Sequence, residues 1–100
     1  MPQITVVYWR DIPAQVIAKA GRTTAKRVLN ERFEKAIDRA AMRANLRDTD
    51  SYLAEWRRAD PVECGADLEA EAAAAAARLE AEFPEERLTA FVMAGGKTPA

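Results

Sequence analysis

The chain contains no histidine, and that absence excludes more chemistry than any other feature of the sequence. Without imidazole there is no His-ligated zinc, no Ser–His or Cys–His nucleophile pair, and no histidine axial ligand to haem or cobalamin. Cys64 is the only cysteine, so an intrachain disulfide is impossible and nothing points to an oxidising compartment. Glycine and proline are sparse, at 4 and 5 residues in 100, which argues against a low-complexity or disordered chain. No apolar run approaches the roughly 20 residues that a membrane-spanning helix needs. The opening Met1-Pro2-Gln3-Ile4 lacks the basic and apolar regions of a secretory signal. A cytoplasmic location is the expectation.

What is present describes a globular chain. Hydrophobic residues make up 49% and charged residues 31%, enough apolar surface to offset chain entropy. Many of the apolar residues are alanines, each burying little area, so the larger side chains must supply most of the core. A domain of this size gains from added buried surface, and a homodimer is one way to obtain it. The net charge of −1 is unevenly spread: residues 1–58 carry 12 Lys/Arg against 7 Asp/Glu, and residues 59–100 carry 3 against 9. That asymmetry reads either as a basic face for an anionic partner or as two halves that neutralise each other on folding. The second reading is favoured.

Ile4-Thr5-Val6-Val7-Tyr8-Trp9 is β-branched and aromatic, with apolar residues on both parities, and predicts a central strand. Asp11-Ile12-Pro13 punctuates it, and Ala14–Lys19 predicts a second strand before Gly21, the two forming a hairpin. From Thr24 the period changes. Val28, Leu29, Phe33, Ala36, Ile37, Ala40 and Ala44 step by three and four, predicting a helix over 24–45 with Thr23 or Thr24 as N-cap. Asp48-Thr49-Asp50 begins a shorter helix carrying Tyr52, Leu53 and Trp56 on one face, ended by Asp60-Pro61. After Gly65, the series Leu68, Ala72, Ala75, Leu79, Phe83 predicts a third helix, stopped by Pro84, whose alanine face suits close approach to a sheet or a partner. Arg87–Met93 then reads as a strand. The expected fold is a two-layer α+β sandwich: a three-stranded sheet, from two N-terminal strands and one C-terminal strand, covered by three helices. Residues 1–94 form its single domain, and 95–100 a flexible tail.

Five groupings bear on function. Tyr8, Trp9, Arg10 and Asp11 fall where the first strand ends; a Trp beside an Arg and an Asp can stack on a flat ligand and hold its polar edge. The competing reading has Trp9 capping the core and Arg10 pairing locally. Arg27, Glu31, Lys35, Arg39, Arg43 and Arg47 recur at spacing four, a basic ridge suited to phosphates or an acidic protein surface, or else a solvated face. A pI near 5.5 and the lack of interleaved aromatics count against nucleic acid. Glu34 and Asp38, also four apart, are either an acid–base pair or ordinary exposed acids. Tyr52 and Trp56, beside Arg57 and Arg58, read as interface or core. Cys64 stands just before the third helix, whose N-terminus lowers a thiol pKa while Glu63 and Asp67 oppose it.

The run Val7-Tyr8-Trp9-Arg10-Asp11-Ile12-Pro13-Ala14-Gln15-Val16, followed by Arg32-Phe33-Glu34-Lys35-Ala36-Ile37-Asp38-Arg39-Ala40-Ala41-Met42, resembles a small bacterial family, common in alphaproteobacteria, that is labelled only "virulence factor". The resemblance covers nearly the whole chain, most strongly residues 4–58. It implies an association with one-carbon metabolism, through split cobalamin-dependent methionine synthases and corrinoid methyltransferases, at cofactor reactivation. The family brings no assigned catalytic residues. Its implication is a non-enzymatic accessory protein that binds a methyltransferase or reactivation component, with the corrinoid on the partner and no cofactor bound directly. Nucleic acid and membrane are not expected partners. Tyr8, Trp9, Arg10, Asp11, Lys35, Arg39, Arg43 and Trp56 are the expected binding residues. The alternative is a self-associating domain that binds a small ligand, its dimer built on the sheet edge or the alanine-rich helix.

Overall fold

The computed structural model describes residues 1–46 and 48–99; Arg47, the end of the basic series, and Ala100 lie outside them. The fold is α+β, with an antiparallel sheet and four helices. Strand β1 (Gln3–Trp9) pairs with β2 (Ile12–Ala20), and β2 with β3 (Thr23–Val28). On its other edge β1 pairs with β4 (Trp56–Arg58) through Val7–Trp9 and with β5 (Val62–Glu63) through Gln3 and Ile4. The strand order is thus β3-β2-β1-β4, with β5 also on β1. β1 is central, as its apolar character on both parities predicts.

Proline in an inner strand removes a ladder donor, and a bulge accommodates that loss. Val7 pairs with Gln15 but Tyr8 with Pro13, so Ala14 is the extra residue of β2. Its carbonyl accepts from the Leu29 N–H at 3.1 Å instead. The same shift re-aims β1. Val6 packs against the main core and Val7 is buried apart from it, yet Trp9 joins the main core although it shares parity with Val7.

Four expectations are corrected. The helix predicted over 24–45 is shorter: α1 spans Glu31–Arg43, and Thr23–Val28 is a strand. Gly21, at φ +60°, starts a two-residue turn that returns the chain antiparallel to β2, and Ala25 alternates inward between exposed Thr24 and Lys26. Asn30, not Thr23 or Thr24, caps α1, its side chain accepting from the Arg32 N–H at 3.0 Å. Trp56 is not on a helix: α2 (Thr49–Ala54), capped by Asp48, stops before it, and Asp60-Pro61 separates β4 from β5. Arg87–Met93 is helical, not extended, within α4 (Glu85–Met93), and among the described residues the sheet has five strands rather than three, none of them C-terminal. Leu88, Phe91 and Val92 share one buried stripe at helical spacing, and Glu85 and Glu86 sit at the positive end of the helix dipole.

Helices α1 and α3 (Leu68–Glu82) pack on the sheet, and α4 packs against α1. Phe33, Ala36, Ile37, Ala40 and Ala41 form the buried face of α1. Part of the alanine content of α3 is used inside the molecule: Ala72, Ala75 and Ala76 are buried as the helix lies across β2 and β3. Phe83 joins the layers, edge-on to Phe33 at 6.0 Å and to Phe91 at 5.2 Å between ring centres.

Both α1 and α4 end in a Schellman motif. Asn45 at φ 63° closes α1, with its N–H donating to Met42 and the Leu46 N–H to Ala41. Gly95 and Gly96, at φ 72° and 93°, close α4 with bonds to the Val92 and Phe91 carbonyls. A Cβ on Gly96 would stand 2.6 Å from Cζ3 of Trp9. Gly96→Ala should therefore cost about 2 kcal/mol or more, lowering Tm by roughly 10 °C. Gly21→Ala, which meets strain but no neighbour, should cost only about 1 kcal/mol. Urea denaturation of the two variants measures both, and equal losses would show that the Trp9 contact is immaterial.

Candidate functional site

The turn that joins β1 to β2 consists of Arg10 and Asp11, with Arg10 at φ 53°, a conformation that non-glycine residues adopt only when their surroundings hold them there. The holding groups are visible. The Arg10 guanidinium, only 14% exposed, donates to the Gly95 carbonyl at 2.8 Å and pairs with Glu55 Oε1 at 3.0 Å. It also lies 5.3 Å from the Trp9 ring centre. Trp9 itself is 0% exposed, stacks on Tyr52 at 5.7 Å, and donates its indole N–H to the Tyr52 carbonyl at 3.0 Å. Trp9 thus caps the core, the plainer of the two sequence readings.

Asp11 ties the turn to two further segments. One carboxylate oxygen accepts from Arg57 at 3.1 Å; the other accepts from the Thr98 N–H at 2.7 Å and its hydroxyl at 3.0 Å. Arg57 also donates to the Arg10 carbonyl at 2.9 Å and lies over the Tyr8 ring at 4.5 Å. Burial raises the Asp11 pKa, but the Thr98 and Arg57 bonds outweigh it and hold the carboxyl below its ordinary value. Tyr8, Trp9, Arg10 and Asp11 are thus brought together, as a clamp engaged with the protein's own groups.

The basic ridge is divided. Arg27 belongs to β3, Lys35 forms an exposed pair with Glu31 at 3.7 Å, and Arg43 donates to the Met93 carbonyl at the end of α4 at 3.1 Å. Arg39, exposed, lies with Lys35 along the seam between α1 and α4. The Cys64 thiol is pushed up, by desolvation first and by Glu71 second. Among the described residues no group of three Cys, Asp or Glu side chains could hold a metal ion.

A cleft of about 300 Å³ opens elsewhere, between α1, the β2 bulge and the α2–β4 corner. Glu34 and Asp38, one helical turn apart, line it from α1, Tyr52 and Trp56 from the α2–β4 corner, and Gln15 and Val28 from the sheet. The two aromatic rings meet edge-on at 6.2 Å. Neither carboxylate forms an ion pair among the described residues. The Tyr52 hydroxyl is pushed above its ordinary pKa, first by burial and then by Asp38, with a smaller push from Glu34 and an opposing hydrogen bond with Trp56. Trp56, an expected site residue, faces this cleft; Glu34, Asp38 and Tyr52 join it from positions no spacing rule connects to Gln15.

A small antiparallel α+β domain with an acidic, aromatic-walled cleft is the class of protein these features define. The chain belongs to the virulence factor family, whose model matches residues 7–92. No curated protein and no solved structure matches it. No helix among the described residues is long and apolar enough to cross a membrane.

The clamp carries a pH signature. A carboxyl whose folded pKa lies below its unfolded value stabilises the fold above the unfolded pKa, and that contribution fades as pH falls through the folded value. The stability difference between wild type and Asp11→Asn should be constant above about pH 5 and shrink toward zero below about pH 4. Urea midpoints at neutral and acid pH test this; a difference that persists unchanged at pH 3 would count against a charged Asp11 in the clamp.

Proposed function

We propose that the protein works by binding, as a non-enzymatic accessory component that docks a partner protein through the α1–α2–sheet cleft. The observation that carries this reading is the contrast between two clusters. The charges of the hairpin turn are paired within the protein, Arg10 with Glu55 and Asp11 with Arg57, although Arg10 Nε has no partner among the described residues, while Glu34, Asp38, Tyr52 and Trp56 line open space. The partner class follows from the family resemblance: a corrinoid-dependent methyltransferase of the split methionine synthase type, or a component that reactivates or assembles it. The corrinoid would be the partner's, since this chain offers no imidazole to cobalt.

A self-associating domain that binds a small ligand is the second reading. β3 is an edge strand with exposed Val28, although Lys26 and Arg27 on it discourage edge-to-edge pairing. On α3 the sheet covers Ala72, Ala75 and Ala76, while Ala70, Ala74, Ala77 and Ala81 stay exposed on the outer face, the second surface on which a dimer could form. Sizing chromatography separates the two readings.

Tagged full-length protein should recover methyltransferase or reactivation components from cells grown with cobalamin. Glu34→Lys with Asp38→Lys should lower that recovery by about tenfold. A deletion strain should require methionine, and added methionine should relieve the requirement. Normal methionine synthesis in that strain, supplied with cobalamin, would overturn the proposed pathway.

A further inference from the structure

We infer that the cleft receives an arginine side chain presented by the partner; this rests on the docking role proposed above and names what is docked. The charge on its walls is of one sign, from Glu34 and Asp38, one helical turn apart on α1. Both carboxylates line the cleft together with Tyr52 and Trp56, and, after burial, their charges help to push the Tyr52 hydroxyl above its ordinary pKa. An anionic occupant is repelled there and a neutral one gains nothing from the wall charge.

Size narrows the occupant. A volume near 300 Å³ lies at the lower bound of small-molecule pockets, which run from roughly 300 to 1,000 Å³. It is ample for one long side chain. Shape then favours guanidinium over ammonium. Tyr52 and Trp56 line the same cleft as the two carboxylates, their rings edge-on to each other at 6.2 Å. A planar, weakly hydrated cation with five donors in a fixed fork can lie against a ring and still reach two separate acceptors, whereas a compact ammonium satisfies one at a time. Gln15, on the sheet side, adds an amide that can accept one more N–H.

The test is an NMR titration of the intact protein with N-acetyl-arginine amide, alongside the lysine and citrulline amides, reading the two tryptophan indole N–H signals. The arginine compound should move the Trp56 signal saturably and leave buried Trp9 unmoved. Citrulline amide, nearly the same shape without the charge, should bind about fivefold more weakly or less. Glu34→Gln with Asp38→Asn should lose binding to the same degree while Trp9 keeps its position, which certifies the fold; the single variants serve if the double variant does not fold. Equal binding of citrulline, unchanged binding by the double variant, or no Trp56 shift at about 20 mM arginine amide would overturn the inference. Lysine binding as tightly as arginine would overturn the choice of guanidinium. If arginine binds but no partner is recovered from cells, the docking role fails alone; if a partner is recovered equally by the wild type and the Gln/Asn variant, the arginine inference fails alone.

Discussion

The fold depends on closing its two ends over one side chain. Trp9 is fully buried beneath Gly96, with Tyr52 stacked on it and its indole N–H bonded to the Tyr52 carbonyl. That arrangement needs the β2 bulge to turn Trp9 inward and a glycine at the end of α4 to let the backbone approach. The approach is reinforced by backbone, since the Asp11 N–H donates to the Gly96 carbonyl at 2.9 Å and the Arg10 N–H to the Glu55 carbonyl at 3.0 Å. The strained φ of Arg10 is tolerated because these bonds and its own side-chain contacts over-determine it.

The basic N-terminal half and the acidic C-terminal half meet in an unexpected way. Among the described residues all three ion pairs lie within 1–58, so none of them joins the two halves. Instead, arginines reach the exposed carbonyls at helix C-termini, where the dipole is negative. Arg32 donates to the Glu80 and Phe83 carbonyls at the end of α3, and Arg43 to Met93 at the end of α4. Arg87 completes the set at the α3–α4 corner, donating to the Glu82 carbonyl while lying 4.4 Å from the Phe83 ring centre. Of the basic ridge read from the sequence, Arg43 is engaged in this way, while Lys35 and Arg39 stay exposed. With the hairpin turn likewise engaged, the acidic cleft carries the functional reading.

How much could be read in advance divides along physical lines. The buried stripe of α1 through Phe33 and Ile37, the central place of β1, and the third helix all follow from periodicity. Thr23–Val28 was misassigned because Val28 and Leu29 happen to continue the α1 spacing, although Leu29 is buried from a loop and Val28 is exposed. Thr89 to Met93 has strand-like composition, yet its Leu88-Phe91-Val92 spacing and the acids after Pro84 were helix signals. Trp56 sits where a three-residue strand can form only because the edge of β1 is there to receive it.

By itself, the sequence determined the α+β class, the helical faces that must be buried, and the exclusion of imidazole chemistry, because composition and local period act without reference to distant residues. Tertiary structure alone decided that Trp9, Arg10 and Asp11 would lock the chain ends together, and that Glu34 and Asp38 would line one cleft with Tyr52 and Trp56. Those outcomes depend on a bulge, two glycine φ angles and the pairing of a short edge strand, and each joins groups tens of residues apart whose proximity no local pattern encodes.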